Sequence, residues 1–485
     1  MHLDPDQCYR ALLTHDSRFD GRFFVGVGTT GIYCRPVCTA KTPLARNCSF
    51  FPSAAAAEAK GFRPCLRCRP ELAPGYASVD ANRRLAQAAA GMIEDGRLED
   101  ASLAEMAGAL GVTDRHLRRV FQEQFGVSPV EYAQTQRLLL AKRLLTDTAM
   151  PVLDVAMASG FASLRRFNDL FRTRYRMTPV ELRRSAPSHG PADRLSFDLA
   201  YRPPYDWPAM LAFLDRRSIA GVERVDGRRY RRSVRLERAG RAHAGWIEVA
   251  PSPRKSALRV TASASLAGAV PVLLARVKSL LDLSCRPDEI AATLGPLAEA
   301  HPGLRLPGAV DGFEIAVRAI LGQQVTVAAA TTIAGRFAKA FGDAVETPHE
   351  GVERLFPLPS RIAAAPVPDI AALGVISSRA NAIVALARAL DAGSLRLDPS
   401  APVEDTLAAL ERLPGIGPWT AQYIAMRALA WPDAFPHPDV GVLKAMRETN
   451  ARRALERAEA WRPWRAYAVL HLWKSREKDS RKETT

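Results

Sequence analysis

Two closely spaced cysteine pairs are the most chemically specific feature of this sequence. Cys34 and Cys38 form a C-x3-C pair within GIYCRPVC, and Cys65 and Cys68 form a C-x2-C pair within GFRPCLRC. Each loop can present two thiolates to one side of a tetrahedral zinc ion, at Zn–S distances of about 2.3 Å. We therefore predict one Zn²⁺ per chain. Since closed all-thiolate sites usually stabilise a fold, the pattern taken alone favours a structural zinc.

A glycine-containing turn in the C-terminal half predicts contact with a nucleic-acid backbone. LPGIG lies between two segments with apolar residues at helical spacing, and Gly415 and Gly417 permit a tight turn there. The backbone amides of such a helix-hairpin-helix turn can bind a DNA phosphate without selecting a base. An aspartate beyond the second helix, Asp439, makes the pattern more specific. From its residue type alone, Asp439 could equally cap a turn, because aspartate after proline commonly starts one.

The composition favours nucleic acid over a membrane as the partner. The 485 residues suggest about three or four domains, and the formal net charge is +16 with a pI of about 9.9. Such a basic chain is expected to bind a polyanion. We expect no membrane-spanning segment and no signal peptide, because the sequence has no suitable apolar run. Seven cysteines, four of them in paired loops, argue against a disulfide scaffold and for a reduced, cytosolic compartment.

Short strands and one helix are predicted to hold the cysteine loops. FDGRFFVGVGTTGIYC is typical of strands interrupted by glycines, and SAAAAEAK predicts a short helix capped by Ser53 and closed by Gly61. We interpret the remaining cysteines, Cys8, Cys48 and Cys285, as small buried hydrophobic residues.

This N-terminal segment resembles the first domain of Ada-type methylphosphotriester repair proteins. The matching pieces are TTGIYCRPVC, NCSFFPSAAAA and GFRPCLRC. The resemblance implies that all four cysteines bind zinc and that Cys34 also accepts the methyl group of a methylated DNA phosphate. This chemistry is reasonable, because a zinc-bound thiol is held as the nucleophilic thiolate. The chain also resembles DNA-binding and glycosylase domains, as described next. Together these resemblances favour a reacting Cys34 over a purely structural zinc.

A repeated helical pattern follows the cysteine segment. Ser102 and Thr113 are predicted helix caps on either side of a turn at Gly111. A weaker copy of this helix-turn-helix pattern follows, in which Gly160 corresponds to Gly111. The two units, joined by LLLAKRLL, resemble the DNA-binding domain of AraC-type regulators. That resemblance places the second helix of each unit in the major groove. The candidate DNA contacts near the starts of those helices are Arg115, His116, Arg119, Arg165, Arg166 and Asn168. The alternative is that these side chains form a solvated face.

The C-terminal half is predicted to contain first a sheet and then a helical region. Partial alternation in SVRLERAG, GWIEVAPS and ALRVTASASL predicts an antiparallel sheet with a helix near 271–283, and the chain becomes helical again after Asp311. This half resembles AlkA-type 3-methyladenine DNA glycosylase II enzymes through RPPYDWPAMLAFL, HPGLRLPG, FEIAVRAILGQQV, LPGIGPWTAQY and WRPWRAYAVLHLW. The resemblance implies that Asp439 is the catalytic carboxylate and that the enzyme flips a damaged base out of the helix.

The same resemblance implies an aromatic base pocket. Its residues would be Phe213, Trp419, Tyr423 and Trp473, an electron-rich wall suited to cationic alkylated purines, with core packing as the alternative. Because lyase-type relatives carry a lysine where Trp419 stands, we predict a monofunctional glycosylase. Two positions depart from the family pattern. Gln324 stands where a wedging leucine is expected, and Val440 replaces an aromatic residue, which predicts a roomier pocket.

These observations predict a multidomain, mainly α protein with smaller α+β parts. The predicted domains are a zinc domain (1–75), a double helix-turn-helix (85–184), a linker (185–197), an α/β subdomain (198–285) and a helix-hairpin-helix glycosylase domain (286–476). The leading hypothesis is a bifunctional alkylation-response protein that senses methylphosphotriesters, activates transcription and excises alkylated bases. Its expected partners are alkylated and promoter double-stranded DNA and RNA polymerase, and we expect a monomer in the cytoplasm, associated with the nucleoid. The rival is a transcription regulator with a structural zinc and an inactive glycosylase fold.

Overall fold

The computed structural model describes residues 4–73, 81–94, 96, 98, 101–185, 194–238, 240–254 and 256–482. These residues are mainly helical, with one four-stranded and one five-stranded sheet, so the predicted fold class is confirmed. The chain divides into two compact units, Met1–Pro203 with Arg235–Lys278 and Leu283–Cys285, and Pro204–Val234 with Ser279–Asp282 and Arg286–Thr485. Every helix in the described part of the chain is too short or too polar to cross a membrane.

The four-stranded sheet holds both cysteine loops. Its strands are β1 (Phe24–Val27), β2 (Ile32–Cys34), β3 (Cys48–Phe51) and β4 (Arg63–Pro64), and helices α1 (Pro5–Leu13) and α2 (Ala54–Ala59) accompany them. The order is β3-β1-β2-β4, with β1 antiparallel to β2 and β3, and β2 parallel to β4. The predicted cap is present, since the Ser53 hydroxyl accepts from the Ala56 amide at 3.0 Å.

One cysteine of this domain departs from its predicted environment. Cys8 and Cys285 are buried as predicted, but Cys48 is partly exposed. The physical reason is its position on β3, which lies at the edge of the four-stranded sheet. An edge strand has a neighbour on only one side, so its side chains retain contact with solvent.

Seven helices follow the small sheet in the described chain. They are α3 (Ala81–Glu94), α4 (Leu103–Ala109), α5 (Asp114–Phe125), α6 (Pro129–Asp147), α7 (Val152–Ala158), α8 (Leu164–Tyr175) and α9 (Pro179–Arg184). Ser102 and Thr113 cap α4 and α5 as predicted, and both turn glycines, Gly111 and Gly160, have positive φ. Phe121 and Phe171 occupy matching, fully buried positions in the two repeats. The predicted repeat of two helix-turn-helix units is therefore present.

The five-stranded sheet has the order β5-β9-β8-β7-β6. Its strands are β5 (Arg194–Ala200), β6 (Glu223–Asp226), β7 (Arg229–Arg238), β8 (Arg241–Pro251) and β9 (Ala257–Ser263), and the nearby helices are α10 (Trp207–Asp215) and α11 (Val270–Leu280). The predicted linker extended too far, because its last residues, from Arg194, pair with β9. RLSFDLA alternates apolar and polar residues, which favours a strand. Residues 186–193 of the linker lie outside the described chain.

The remaining described α-helices follow Cys285. They are α12 (Pro287–Leu294), α13 (Pro296–Glu299), α14 (Gly312–Leu321), α15 (Val327–Phe341), α16 (Pro359–Ala363), α17 (Val367–Ala371), α18 (Ser377–Asp391), α19 (Val403–Glu411), α20 (Pro418–Arg427), α21 (Val440–Ala445), α22 (Ala451–Ala458) and α23 (Arg465–Lys482). Helices α14 to α20 share one apolar core. Ile320, Ile383 and Ile424, from α14, α18 and α20, are fully buried together. This packing fixes the turn between α19 and α20.

Candidate functional site

The four paired cysteines meet in one cluster. Their sulfur atoms all lie within 4.8 Å of one another. A zinc ion with four sulfurs at about 2.3 Å needs S···S separations of about 3.8 Å, so the donor set fits a tetrahedral zinc. Cys38 and Cys65 are buried, whereas Cys34 and Cys68 are partly exposed. Exposure therefore does not separate Cys34 from Cys68, and the choice of Cys34 as the reacting cysteine rests on the family resemblance.

Parallel pairing of β2 and β4 brings the two cysteine loops together. The register pairs Tyr33 with Pro64, so the next residues, Cys34 at the end of β2 and Cys65 directly after β4, lie side by side. Hydrogen bonding among the thiols raises the pKa of Cys34 and lowers that of Cys38 to about 7. The four thiols thus share protons as one group, and these are the protons that a bound metal displaces.

Arg35 is a site residue that the sequence analysis did not identify. Its amide donates to the Cys68 sulfur at 3.3 Å, and its guanidinium donates to the Cys68 carbonyl at 3.1 Å. The same guanidinium donates from Nε to the Asp20 carboxylate at 2.8 Å. Arg35 therefore ties the two loops together. Its position directly after Cys34 was visible in the sequence, but its partners were not.

The predicted DNA contacts of the helix-turn-helix units lie near the starts of α5 and α8. Five of the six are exposed and His116 is partly exposed; the set is Arg115, His116, Arg119, Arg165, Arg166 and Asn168. Arg119 donates to Glu123 at 2.8 Å and lies 3.2 Å from the His116 ring. Exposure fits both DNA contact and a solvated face, so the assignment of these residues stays a prediction.

The glycine turn between α19 and α20 differs in detail from the prediction. Gly415 has φ of +76°, a conformation that favours glycine, but Gly417 has an ordinary φ and caps α20. A Cβ at Gly417 would meet nothing within 4 Å. The turn is fastened by Gln323, whose amide donates to the Gly415 carbonyl and to the Thr420 hydroxyl, each at 2.9 Å. Gln323 was not predicted, because its partners lie almost a hundred residues later.

Asp439 caps a helix and receives two indole donors. One carboxylate oxygen accepts from the Val442 amide at 2.8 Å, which makes Asp439 the N-cap of α21. Trp419 Nε1 donates to Oδ2 at 2.9 Å, and Trp473 Nε1 donates to Oδ1 at 3.0 Å. Asp439 therefore caps a helix, as the alternative interpretation of this residue predicted. The two indoles add an arrangement that capping alone does not need.

Three of the four predicted pocket aromatics adjoin one another. Trp419 and Tyr423 are stacked with ring centroids 5.4 Å apart and planes 16° apart, and Trp473 lies 6.4 Å from Tyr423. Phe213 is buried and joins this group through Arg427, whose guanidinium lies 4.9 Å from the Phe213 ring and 5.7 Å from the Tyr423 ring. Elements far apart in sequence, α10, α20 and α23, therefore supply one aromatic group.

Arginines accompany these aromatic rings. Arg427 donates to the Tyr423 hydroxyl at 2.7 Å, and the Arg217 guanidinium lies 3.9 Å over the Phe213 ring. Burial raises the pKa of Tyr423, but the charges of Arg427, Arg217 and Arg318 outweigh burial and bring the pKa below its ordinary value. Burial lowers the pKa of Arg217 to about 10. Neither pocket arginine was predicted, since arginine is common throughout this basic chain.

The two departures from the family pattern are both exposed. Gln324 has φ of +54°, and Val440 retains 63% of its accessible surface. Gly441 was not predicted as a site residue. A Cβ there would lie 3.0 Å from the Asp439 Oδ1 and 3.1 Å from the Trp473 ring, so glycine permits α21 to approach both.

Four family models match the chain in succession. They are the metal binding domain of Ada at residues 7–71, a helix-turn-helix domain at 106–185, the AlkA N-terminal domain at 196–311 and the HhH-GPD superfamily of base excision DNA repair proteins at 317–465. The chain therefore combines an Ada-type zinc-binding domain with two kinds of DNA-binding domain. The zinc prediction made from the cysteine spacing is confirmed at the level of this domain and its cluster.

Relatives match over the whole chain and over its parts. A Mycobacterium tuberculosis protein described as a "Probable bifunctional transcriptional activator/DNA repair enzyme AlkA" is 38% identical over 98% of this chain and 97% of its own length. The DNA-3-methyladenine glycosylase 2 of Escherichia coli is 38% identical over 57% of this chain and 96% of its own. A 3-methyladenine DNA-glycosylase structure from Archaeoglobus fulgidus covers 57% of this chain and 97% of its own, with 22% identity and a TM-score of 0.48. The chain belongs to the family of bifunctional transcriptional activator/DNA repair enzymes AlkA.

Proposed function

We propose that this protein excises alkylated bases from DNA and senses methylphosphotriesters by methylating itself. The observation that carries the proposal is the Asp439 carboxylate held by the Trp419 and Trp473 indoles beside a stacked aromatic pair. The full-length relative described as a bifunctional activator and repair enzyme supports the same assignment. We propose the released bases to be of the 3-methyladenine type.

The glycosylase step requires a flipped nucleotide whose base leaves as its sugar becomes cationic. The bond between the base and the sugar breaks, and its electron pair leaves with the base. Water then bonds to the sugar carbon and releases one proton to the solvent. The Asp439 carboxylate stabilises the positive charge as it develops, because its two oxygens are fixed by indole donors at about 3 Å. Trp419 and Tyr423 offer a stacking face to a cationic purine. Since a tryptophan stands at the lysine position of lyase-type relatives, we propose base release without strand cleavage.

The methyl-transfer step uses the partly exposed Cys34. Its sulfur forms a bond to the methyl carbon while the bond from that carbon to the phosphate oxygen breaks, and the phosphate leaves as an anion. When bound, zinc keeps the four cysteines as thiolates. Cys38 and Cys65 are buried, and between the two remaining ligands, Cys34 and Cys68, the family resemblance selects Cys34. The step consumes one cysteine per chain.

The partners proposed for this chemistry are alkylated DNA and promoter DNA, both double-stranded. Methylation of Cys34 is proposed to increase promoter binding through the helix-turn-helix units, with RNA polymerase as the protein partner. We propose a monomer in the cytoplasm, associated with the nucleoid. The net charge of +16 supports a polyanionic partner.

Replacing Asp439 tests the glycosylase assignment. In Asp439→Asn the side chain keeps its size but loses its charge, so release of 3-methyladenine from methylated DNA should fall at least about a hundredfold. The matched control is Asp369→Asn at an exposed position of α17, which should keep normal activity. Persistent base release by Asp439→Asn, in a protein with an unchanged melting temperature, would rule out the assignment.

The mass of the Cys34 peptide separates the proposal from its rival. After incubation with methylated DNA and proteolysis, the peptide that carries both Cys34 and Cys38 should gain one methyl group, and fragmentation of that peptide should place the group on Cys34. A pure regulator with a structural zinc would bind the DNA and leave the Cys34 peptide unchanged.

A further inference from the structure

Buried arginines join the regulatory domains to the five-stranded sheet within the first compact unit. This unit contains the four-cysteine domain, the helix-turn-helix helices, strands β5, β8 and β9, and helix α11 up to Lys278. Three arginines, Arg143, Arg202 and Arg238, retain 3%, 0% and 8% of their accessible surface. Each donates a hydrogen bond between the four-cysteine or helix-turn-helix domain on one side and the strands of the five-stranded sheet, or the residues next to them, on the other.

Arg202 makes the junction nearest to the cysteine cluster. It follows β5, and its Nε donates to the Asp20 carbonyl in the four-cysteine domain at 2.9 Å. Its Nη1 donates to the carbonyls of Ser284 and Cys285, at 2.8 and 3.2 Å. One guanidinium therefore holds residues from three separate parts of the chain.

Asp20 connects this junction to the zinc ligands. Its carboxylate accepts from Arg35, and Arg35 donates in turn to the carbonyl and, through its amide, to the sulfur of Cys68. Arg35 also directly follows Cys34 in the chain. A continuous series of hydrogen bonds thus runs from the cysteine cluster through Asp20 to Arg202.

The other two arginines fasten the helix-turn-helix helices to the same region. Arg143, on α6, donates to the Asp198 carbonyl of β5 at 2.8 Å, and its guanidinium lies 4.9 Å over the Phe197 ring. Arg238, at the end of β7, donates to the Ala158 carbonyl at the end of α7 and to the Gly268 carbonyl, at 2.6 and 2.8 Å. The bonds to the Asp198 and Ala158 carbonyls are buried, and the bond to the Gly268 carbonyl is partly buried.

Burial distinguishes these hydrogen bonds from those of a transient contact between two domains joined by a linker. Surface arginines can exchange one partner for water at little cost. A buried guanidinium cannot, because losing its acceptor leaves a desolvated charge, and losing the arginine leaves buried carbonyls without a donor. Contacts of this kind favour one defined arrangement of the domains.

We propose that Arg202 is a coupling residue, through which the four-cysteine domain and the glycosylase sheet stabilise each other. The sheet then stabilises the four-cysteine and helix-turn-helix domains, although its sequence belongs to the glycosylase part of the chain. The two domains open together, and a change at the cysteine cluster alters the protection of residues 283–285. This inference does not depend on either proposed activity.

Hydrogen exchange of the full-length, zinc-loaded protein tests the coupling. We expect Arg202→Gln to increase amide exchange about tenfold in two separated segments, residues 18–24 and 283–285, which corresponds to losing one buried hydrogen bond. The matched control is Arg241→Gln on β8, because Arg241 is exposed on the same sheet and should leave both segments unchanged. An increase confined to residues 200–203 or 283–285, with residues 18–24 unaffected, would overturn the proposal.

A second variant keeps the test decisive if Arg202→Gln does not fold. Arg202→Lys retains the charge, but an ammonium cannot reproduce the fixed fork of a guanidinium across three carbonyls. It should increase exchange in the same two segments by a smaller factor while the zinc content stays at one per chain. A uniform increase throughout the protein, or no increase at residues 18–24, would contradict a coupling role.

Discussion

The cysteine cluster and the Asp439 site are built in opposite ways. All four cysteines come from two loops of one small domain, and adjacent parallel strands bring them together. The Asp439 site gathers residues from α10, α20, the start of α21 and α23, which span more than half of the chain. The first site therefore needs only local structure, whereas the second depends on the packing of an entire helical unit.

The two sites also differ in what their chemistry does to them. In the proposed methyl transfer, Cys34 is consumed because its sulfur keeps the methyl group. In the proposed base excision, Asp439 is unchanged because its carboxylate only stabilises charge. A local, four-ligand cluster suits a reaction that happens once, and a rigid carboxylate suits one that is repeated.

The largest expected contrast is the response of the two regions to pH. Burial raises the pKa of Glu58, beside Tyr33 in the four-cysteine domain, to about 7. Its stabilising contribution is complete below about pH 4.5 and is lost as the pH rises through 7. Burial lowers the pKa of His471, on α23, to about 4, so its contribution is complete above about pH 6.5 and is lost as the pH falls through 4. Each contribution is on the order of 3 kcal/mol.

Hydrogen exchange measured between pH 4.5 and 6.5, corrected for intrinsic rates, should show the stability of the four-cysteine domain falling with pH and that of the helices around α23 rising with pH. Glu58→Gln is expected to flatten the pH dependence of the four-cysteine domain and of the parts packed on it, such as α6, whose Thr135 hydroxyl donates to Glu58. His471→Asn is expected to flatten that of the helices around α23. If each variant changed the pH dependence of both regions equally, Glu58 and His471 would not be the sources of the two opposite trends.

A smaller effect is expected from removing one indole donor. Trp419→Phe and Trp473→Phe keep an aromatic ring but lose the N–H that binds Asp439. Loss of one such bond should lower the rate of base release about tenfold each, without changing Cys34 methylation. Trp461→Phe, outside the site, is the matched control for the substitution itself. Unchanged rates in both site variants would mean that the indoles do not position the carboxylate.

The smallest expected effect concerns salt. Four thiolates on Zn²⁺ carry a net charge of about −2, and methylation of one reduces it to about −1. DNA affinity should therefore rise a few-fold after methylation, and the gain should shrink between about 50 and 200 mM salt. Binding titrations of methylated and unmethylated protein measure it, with Cys34→Ser as the control. A gain that does not change with salt would exclude an electrostatic origin.

The sequence predicted the parts of each site that carry a local pattern. Cysteine spacing identified the cluster, and the glycine turn followed by an aspartate indicated Asp439. The positioning residues were harder to find. Arg35 with Asp20, and Arg427 with Tyr423, are ordinary residue types whose roles come from tertiary contacts. No spacing rule distinguishes them from other arginines in so basic a chain.

The linker prediction failed for a related reason. Small residues and proline in 185–193 are typical of a linker, and the same interpretation was carried into Arg194–Phe197, which alternates like a strand. The coupling through Arg202 was also outside sequence reasoning, since its carbonyl acceptors lie about 80 and 180 residues away. Proximity of that kind becomes visible only in the folded chain.

The central claim, two separate chemistries in one chain, is tested most directly with one DNA substrate that carries both lesions. Wild-type protein should release alkylated base and gain one methyl group on Cys34. Cys34→Ser should lose only the methyl gain, and Asp439→Asn should lose only base release. Loss of both activities in either zinc-loaded, folded variant would contradict the account.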